Sequence, residues 1–155
     1  MSRGLRRAFG FRAAAWYWAP PIIWMAAIFA LSSLSAATIE TARTAEAARS
    51  VPSLVNQFTV HLAEFGVLAV LVYRVAGRRR RATDPYLVLF VLALTTLYGA
   101  TDEVHQSVVP GRDPSWLDLG YDALGAACGV AVAVTWSWAR SRIGGSARRR
   151  ADPGA

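Results

Sequence analysis

The sequence predicts an all-α fold: a bundle of four transmembrane helices with both chain termini in the cytoplasm. Three observations carry this reading. The 155 residues are 54% hydrophobic and only 17% charged, with mean hydropathy +0.30. A chain this short has too much surface for its volume to hide so much apolar side chain in a water-soluble core. Four long apolar stretches recur, each close to the ~20 residues a helix needs to cross ~30 Å of hydrocarbon. The arginines gather in alternate connecting segments, as the positive-inside rule requires of a four-span chain. With 6 Trp, 5 Tyr and 6 Phe the chain is too aromatic for disorder. Its single cysteine, Cys128, excludes a disulfide scaffold.

The first stretch, Ala13 to Leu34, holds no charge. It is longer than the 7–15-residue core of a signal peptide, and three further spans follow, so it reads as a retained span. The second runs from Phe58 to Val75, the third from Tyr86 to Val104 and the fourth from Trp116 to Trp138. None keeps the polar–apolar alternation of a strand. In lipid every backbone group must be satisfied within its own segment, so spans of this length are helices. A basic N-terminus (1–12) precedes the membrane domain (13–138), and a basic tail (139–155) follows it, read as disordered from Gly144 onward. In the loop between the first two spans, Glu40/Arg43 and Glu46/Arg49 stand at i,i+3, the spacing of a short surface helix.

The net charge is +7 and every basic residue is arginine. A basic balance often marks nucleic-acid binding. Here the arginines flank apolar runs instead, so no nucleic-acid partner is expected. Fourteen of the 17 lie before the first span, at the end of the second or between it and the third, or after the fourth. That places those segments in the cytoplasm and the loops 35–57 and 105–115 outside, in a multi-pass protein of the cell membrane.

The acids are distributed the other way. Glu64, Asp102, Glu103, Asp118 and Asp122 lie within or at the ends of apolar spans, as do both histidines, His61 and His105. A charge at mid-bilayer costs about 2.5–3.5 kcal/mol on insertion scales, so these groups need partners. On the topology above, all of them fall at the outward ends of the second, third and fourth spans. Helical phase agrees. Asp118, Asp122, Gly125 and Gly129 share one face, and the two glycines form a GxxxG pair that lets helices approach closely. Tyr98, Asp102 and His105 share another. The sequence therefore predicts one outward-facing polar pocket built from His61, Glu64, Asp102, Glu103, His105, Gln106, Arg112, Asp118 and Asp122. The inner halves of the spans are apolar, which disfavours a through-pore.

Plainer roles are also readable. Asp118 suits a first helical turn through the helix dipole. Glu103 reads equally as a pocket acid and as a group facing interfacial water. His105 is placed for turn bonding before Pro110-Gly111. Ser32, Ser33 and Ser35 are expected to bond to backbone carbonyls, and Cys128 to be buried. The His and carboxylate spacing matches no strong zinc signature, so neither metal nor cofactor is expected.

The string Thr101-Asp102-Glu103-Val104-His105-Gln106-Ser107-Val108-Val109-Pro110-Gly111-Arg112, followed by Asp118, Asp122 and Leu124-Gly125, closely resembles the VanZ-like family of small bacterial membrane proteins. His61-Leu62-Ala63-Glu64-Phe65 is similar to that family's histidine-containing segment. The resemblance runs from about Leu54 to Gly129. It implies a multi-span cell-envelope protein, in a family named for a member linked to resistance to the glycopeptide teicoplanin. Two functions follow as expectations. In the first, the pocket binds the headgroup of a membrane lipid or lipid-linked peptidoglycan precursor, with Arg112 on phosphate or carboxylate. In the alternative, a membrane enzyme modifies or hydrolyses such a headgroup, with His105 or His61 as base, Asp102 or Asp122 orienting it, or a metal assisting.

Overall fold

The structure is a computed structural model that describes residues 3–34, 38, 41 and 57–151. Four α-helices account for nearly all of them: α1 (Arg3–Ser32), α2 (Gln57–Ala76), α3 (Pro85–Gln106) and α4 (Trp116–Ala151). A 3-10 turn at Gly77–Arg79 follows α2. No strand occurs among the described residues. Each helix holds a segment long and apolar enough to span a membrane: Ala15–Ser32, Phe58–Ala76, Pro85–Gln106 and Trp116–Ile143. The expected surface helix at Glu40, Arg43, Glu46 and Arg49 lies outside the described residues.

One boundary differs from the sequence reading. The tail was expected to lose order after the fourth span, yet the backbone of α4 stays helical to Ala151. Arginine and alanine are good helix formers. Nothing in Ala139–Ile143 or in Ala147–Ala151 is a proline, and two adjacent glycines at 144–145 do not suffice to stop a helix already propagating.

The helix ends follow from local chemistry. Asp84 caps α3: its carboxylate accepts from the Tyr86 N–H at 3.0 Å and from Arg80 Nη1 at 2.9 Å, with Pro85 at the first helical position. After α3 the chain turns at Val109–Arg112, closed by Arg112 N–H donating to Val109 O. Pro110 and Gly111 occupy the centre of that turn, and Gly111 has φ 75°. A proline followed by a residue with positive φ is what a type II turn demands. Ser115 then caps α4, its hydroxyl accepting from the Leu117 N–H at 3.2 Å.

Packing is densest between α2 and α4, and glycine is the reason. A Cβ built on Gly125 would lie 2.5 Å from the Leu62 carbonyl oxygen, and one on Gly129 would collide with the Gly66 carbonyl. Gly66 in turn faces the Gly125 carbonyl. The GxxxG pair thus brings two backbones into direct contact, which lets dispersion act over the whole length of the seam. Below it lies the apolar core of Phe65, Leu68, Ala69 and Val72 on α2, Leu87 and Val91 on α3, Ala126, Val130 and Ala133 on α4, and Ile28 from α1.

The first helix is peripheral. Only 17% of its span is buried, against 39% for the fourth. Large apolar side chains cover the outside of the bundle, among them Ile22, Ile23, Phe29, Leu89, Leu97, Val104 and Val132. In water that surface would be an aggregation hazard; in hydrocarbon it is the expected exterior. Cys128 belongs to this exterior rather than to the interior the sequence suggested. It follows Asp122 by six positions and so falls off the face that carries Asp122, Gly125 and Gly129.

Two measurements check this packing. Gly129→Val should lower stability in detergent by about 3 kcal/mol or abolish folding, since the added atoms meet backbone rather than a movable side chain. A Cβ on Gly120 meets nothing within 4 Å, so Gly120→Ala should be neutral or stabilise by up to ~1 kcal/mol. Equal melting temperatures for both variants would contradict the seam. At the cap, Arg80 and the Tyr86 N–H hold the Asp84 carboxyl below its ordinary value. Its stabilising contribution is therefore complete above the ordinary carboxylate range and is lost as pH falls through the depressed value. Asp84→Ala should remove that part of the acid limb in a stability-against-pH profile.

Candidate functional site

The end of the bundle that carries the 105–115 loop is polar, and its groups meet in the interior. The α2–α4 seam sets His61, next to Leu62, opposite Asp122, one turn before Gly125. His61 Nδ1 and Asp122 Oδ1 are 2.8 Å apart, with side-chain exposures of 6% and 0%. With Asp122 ionised, the His61 Nδ1–H is the donor. Space for this carboxylate comes from α3: a Cβ on Gly99 would stand 2.6 Å from Asp122 Oδ2.

A second carboxylate enters from α3. Glu103 is buried, and its Oε2 accepts the backbone N–H of Ser115 at 2.7 Å. A capping box closes that N–H from within its own helix; here a neighbouring helix supplies the carboxylate. This ties the start of α4 to the end of α3. It also corrects the reading of Glu103 as a group facing interfacial water. Asp118, in the first turn of α4, is buried as well and interacts electrostatically with His61, Glu103 and Asp122.

The fourth buried acid, Asp102, closes the site toward α1. Its Oδ2 accepts from Ser32 Oγ at 2.8 Å and from Gln106 Nε2 at 2.9 Å. Ser32 was expected to bond to the backbone and instead reaches across to α3. Ser33 does bond to the backbone, donating to Phe29 O at 2.7 Å. Its only proton is then spent, so at the 2.9 Å contact between Ser33 Oγ and His105 Nε2 the histidine is the donor. The His105 ring also stacks on Phe29 with centroids 4.2 Å apart. His105 is therefore a strut between α1 and α3 rather than a member of the central cluster, while its carbonyl makes the expected turn bond, accepting from Val108 N–H at 3.1 Å.

Glu64 is half-buried and interacts electrostatically with His61, Asp102, Asp122 and Arg112. Arg112, on the loop, makes a long 3.5 Å contact from Nε to Leu34 O. The cluster predicted from sequence is thus gathered at one end of the bundle: His61, Glu64, Asp102, Glu103, Asp118 and Asp122 inside it, Gln106 supporting Asp102, Arg112 at the edge and His105 set toward α1. Sequence reasoning missed Ser115 and Gly99, and it gave Ser32 and Ser33 backbone bonds alone. It also missed Trp24, whose Nε1–H donates to Glu64 O at 2.9 Å. A serine pair at the polar end of the first span was the available signal.

Three buried carboxylate oxygens have no hydrogen-bond partner among the described residues: Asp102 Oδ1, Glu103 Oε1 and Asp122 Oδ2. Each belongs to a group whose other oxygen is held by protein. His61, Glu103 and Asp122 also offer one ligand atom each within 4.8 Å of one another, a set that could hold a metal ion. The arrangement can receive a cation, a polar headgroup or a proton, and it can orient His61 as a base.

A family model described as VanZ/LLP1 matches residues 17–137, which include every residue of this cluster. No curated protein and no solved structure matches the chain.

The link between α1 and the cluster is measurable. Ser32→Ala should cost about 1–3 kcal/mol, because it removes a bond to a charged, buried acceptor. In a double-mutant cycle with Asp102→Ala the coupling should fall between about 0.5 and 3 kcal/mol. Additive effects, measured by thermal unfolding in detergent, would mean that the bond does not hold α1.

Proposed function

The chain belongs to the VanZ/LLP1 family, and from that premise we propose that this multi-pass membrane protein binds the headgroup of an envelope lipid or lipid-linked peptidoglycan precursor at its polar end. The observation that carries the reading is the set of buried carboxylate oxygens left without partners among the described residues, beside a hydrogen-bonded His61–Asp122 pair. A folded protein rarely leaves such atoms unpaired, because each costs desolvation energy with no return. A ligand that completes them removes that cost.

The distribution of charge suggests how a headgroup lies. Glu64, Asp118 and the central acids face its cationic or hydroxyl-bearing part. Arg112, at the edge and in electrostatic contact with Glu64, meets its phosphate or carboxylate. Fourteen of 17 arginines flank the opposite ends of the helices, which supports a topology with both termini in the cytoplasm and this site facing outward across the cytoplasmic membrane. There it meets precursors where glycopeptides also act, so occupancy would alter susceptibility to drugs such as teicoplanin.

A second reading has its own observation. A buried imidazole held by a carboxylate at 2.8 Å is how a general base is oriented. On the enzyme alternative, His61 is the base and Asp122 orients it. His105 serves less well, because its Nε2–H is committed to Ser33.

Binding decides the first reading. Purified protein in nanodiscs should bind lipid-linked precursor, and Arg112→Ala should weaken it roughly 10- to 100-fold, the worth of one charge-assisted contact. Binding that is absent, or equal in both proteins, would refute it. For the enzyme alternative, lipid extracts of an overexpressing strain should show a modified headgroup that His61→Ala abolishes; unchanged lipids would remove that alternative.

A further inference from the structure

We infer that His61, Glu103 and Asp122 form a binding site for a divalent transition-metal ion, of which zinc and manganese suit the donor set best. No local spacing links the three residues, which come from three different helices. Three independent features of the geometry converge.

First, the donors are gathered. One ligand atom from each residue lies within 4.8 Å of the others, and all three side chains are buried. Zinc bonded at 2.0–2.1 Å in a tetrahedral site spaces its ligand atoms by about 3.3 Å, so a shift of up to about 1.5 Å closes the set. The glutamate, with its rotatable side chain, can supply that shift.

Second, each carboxylate is half used. Ser115 N–H holds Glu103 Oε2 and His61 holds Asp122 Oδ1, while Glu103 Oε1 and Asp122 Oδ2 lack any partner among the described residues. One oxygen orients the group and the other is left for something that is not protein. Outer contacts that orient a ligating carboxylate are the usual companion of a metal site, and the Ser115 N–H on Glu103 is one. Gly99 keeps the space beside Asp122 Oδ2 open, since a Cβ there would stand 2.6 Å from that oxygen.

Third, the charge needs an answer. Asp102 and Asp118 lie in electrostatic contact with Asp122, so the cluster is strongly acidic, and the nearby Arg112 sits at its edge. Such a concentration of acids in a low-dielectric interior is stabilised by a dication more than by any side chain present. One imidazole and two carboxylates are nitrogen and oxygen donors for zinc, manganese or iron; calcium takes six to eight oxygens and magnesium near-octahedral oxygens. With three protein donors, a further coordination position stays open.

The inference goes beyond headgroup binding and does not depend on it. The test uses the full chain, purified in detergent with a tag free of histidine. Elemental analysis should find about one zinc or manganese per chain. After chelation, adding Zn²⁺ or Mn²⁺ should raise the melting temperature. Glu103→Gln and Asp122→Asn should each weaken the ion at least tenfold without lowering the melting temperature of the metal-free protein below that of wild type. Wild type that carries no stoichiometric metal and shows no shift with either ion overturns the inference. So does undiminished binding in both variants, which would place the ion elsewhere. Should either variant fail to fold, the wild-type measurements alone decide. No lipid precursor enters these assays, so a negative result leaves the Arg112 binding test standing.

Discussion

Asp122 can reach His61 only because the backbones of α2 and α4 touch. Gly125 and Gly129 present no Cβ to the carbonyls of Leu62 and Gly66, so the two helices pack closer than side chains would otherwise allow. His61 precedes Leu62 by one residue and Asp122 precedes Gly125 by one turn. The contact that closes the seam therefore fixes the 2.8 Å bond beside it. Everything else at the polar end is arranged around that bond. Gly99 leaves room for the carboxylate, and Glu103 bridges to the cap of α4. Asp102 then turns outward to collect α1. A side chain at either glycine would separate the imidazole from the acid and leave two polar groups unpaired in a medium that tolerates neither.

Much of this was legible in the chain. Span length, the placement of the arginines and the phase of Asp118, Asp122, Gly125 and Gly129 give four helices and a polar, close-packed face. The string from Asp102 to Arg112 gives the family. Periodicity assigns a residue to a face, however, and does not say what that face meets. Glu103 lies beside Asp102 in sequence, and its position alone fits a solvent-facing group equally well; its burial is set by a backbone N–H twelve residues on, at Ser115. Ser32 and Ser33 read as local hydroxyls because their partners, Asp102 and His105, lie about 70 positions away. Cys128 was assigned to the interior from residue type alone, although its angular position on α4 turns it outward. The helical extension to Ala151 escaped notice because polar, arginine-rich sequence resembles a tail whether or not a helix runs through it.

The site and the scaffold also divide their labour by chemistry. Toward the arginine-rich end the bundle is held by Leu68, Val72, Leu87, Val91 and Val130, whose packing is indifferent to charge. Toward the polar end it is held by directional bonds between ionisable groups. A bound cation or headgroup would act on the second set and leave the first undisturbed, so occupancy can be altered without taking the fold apart.

The manner in which α1 is attached carries a consequence for biogenesis. Its span is the least buried, and Trp24, Ser32 and Ser33 fasten it to α2 and α3, with Tyr98 of α3 donating to Met25 O at 2.6 Å. A ribosome makes α1 before the partners of those contacts on α2 and α3 exist. This span must therefore stay loosely held in the bilayer until both of the helices that follow it have been inserted beside it.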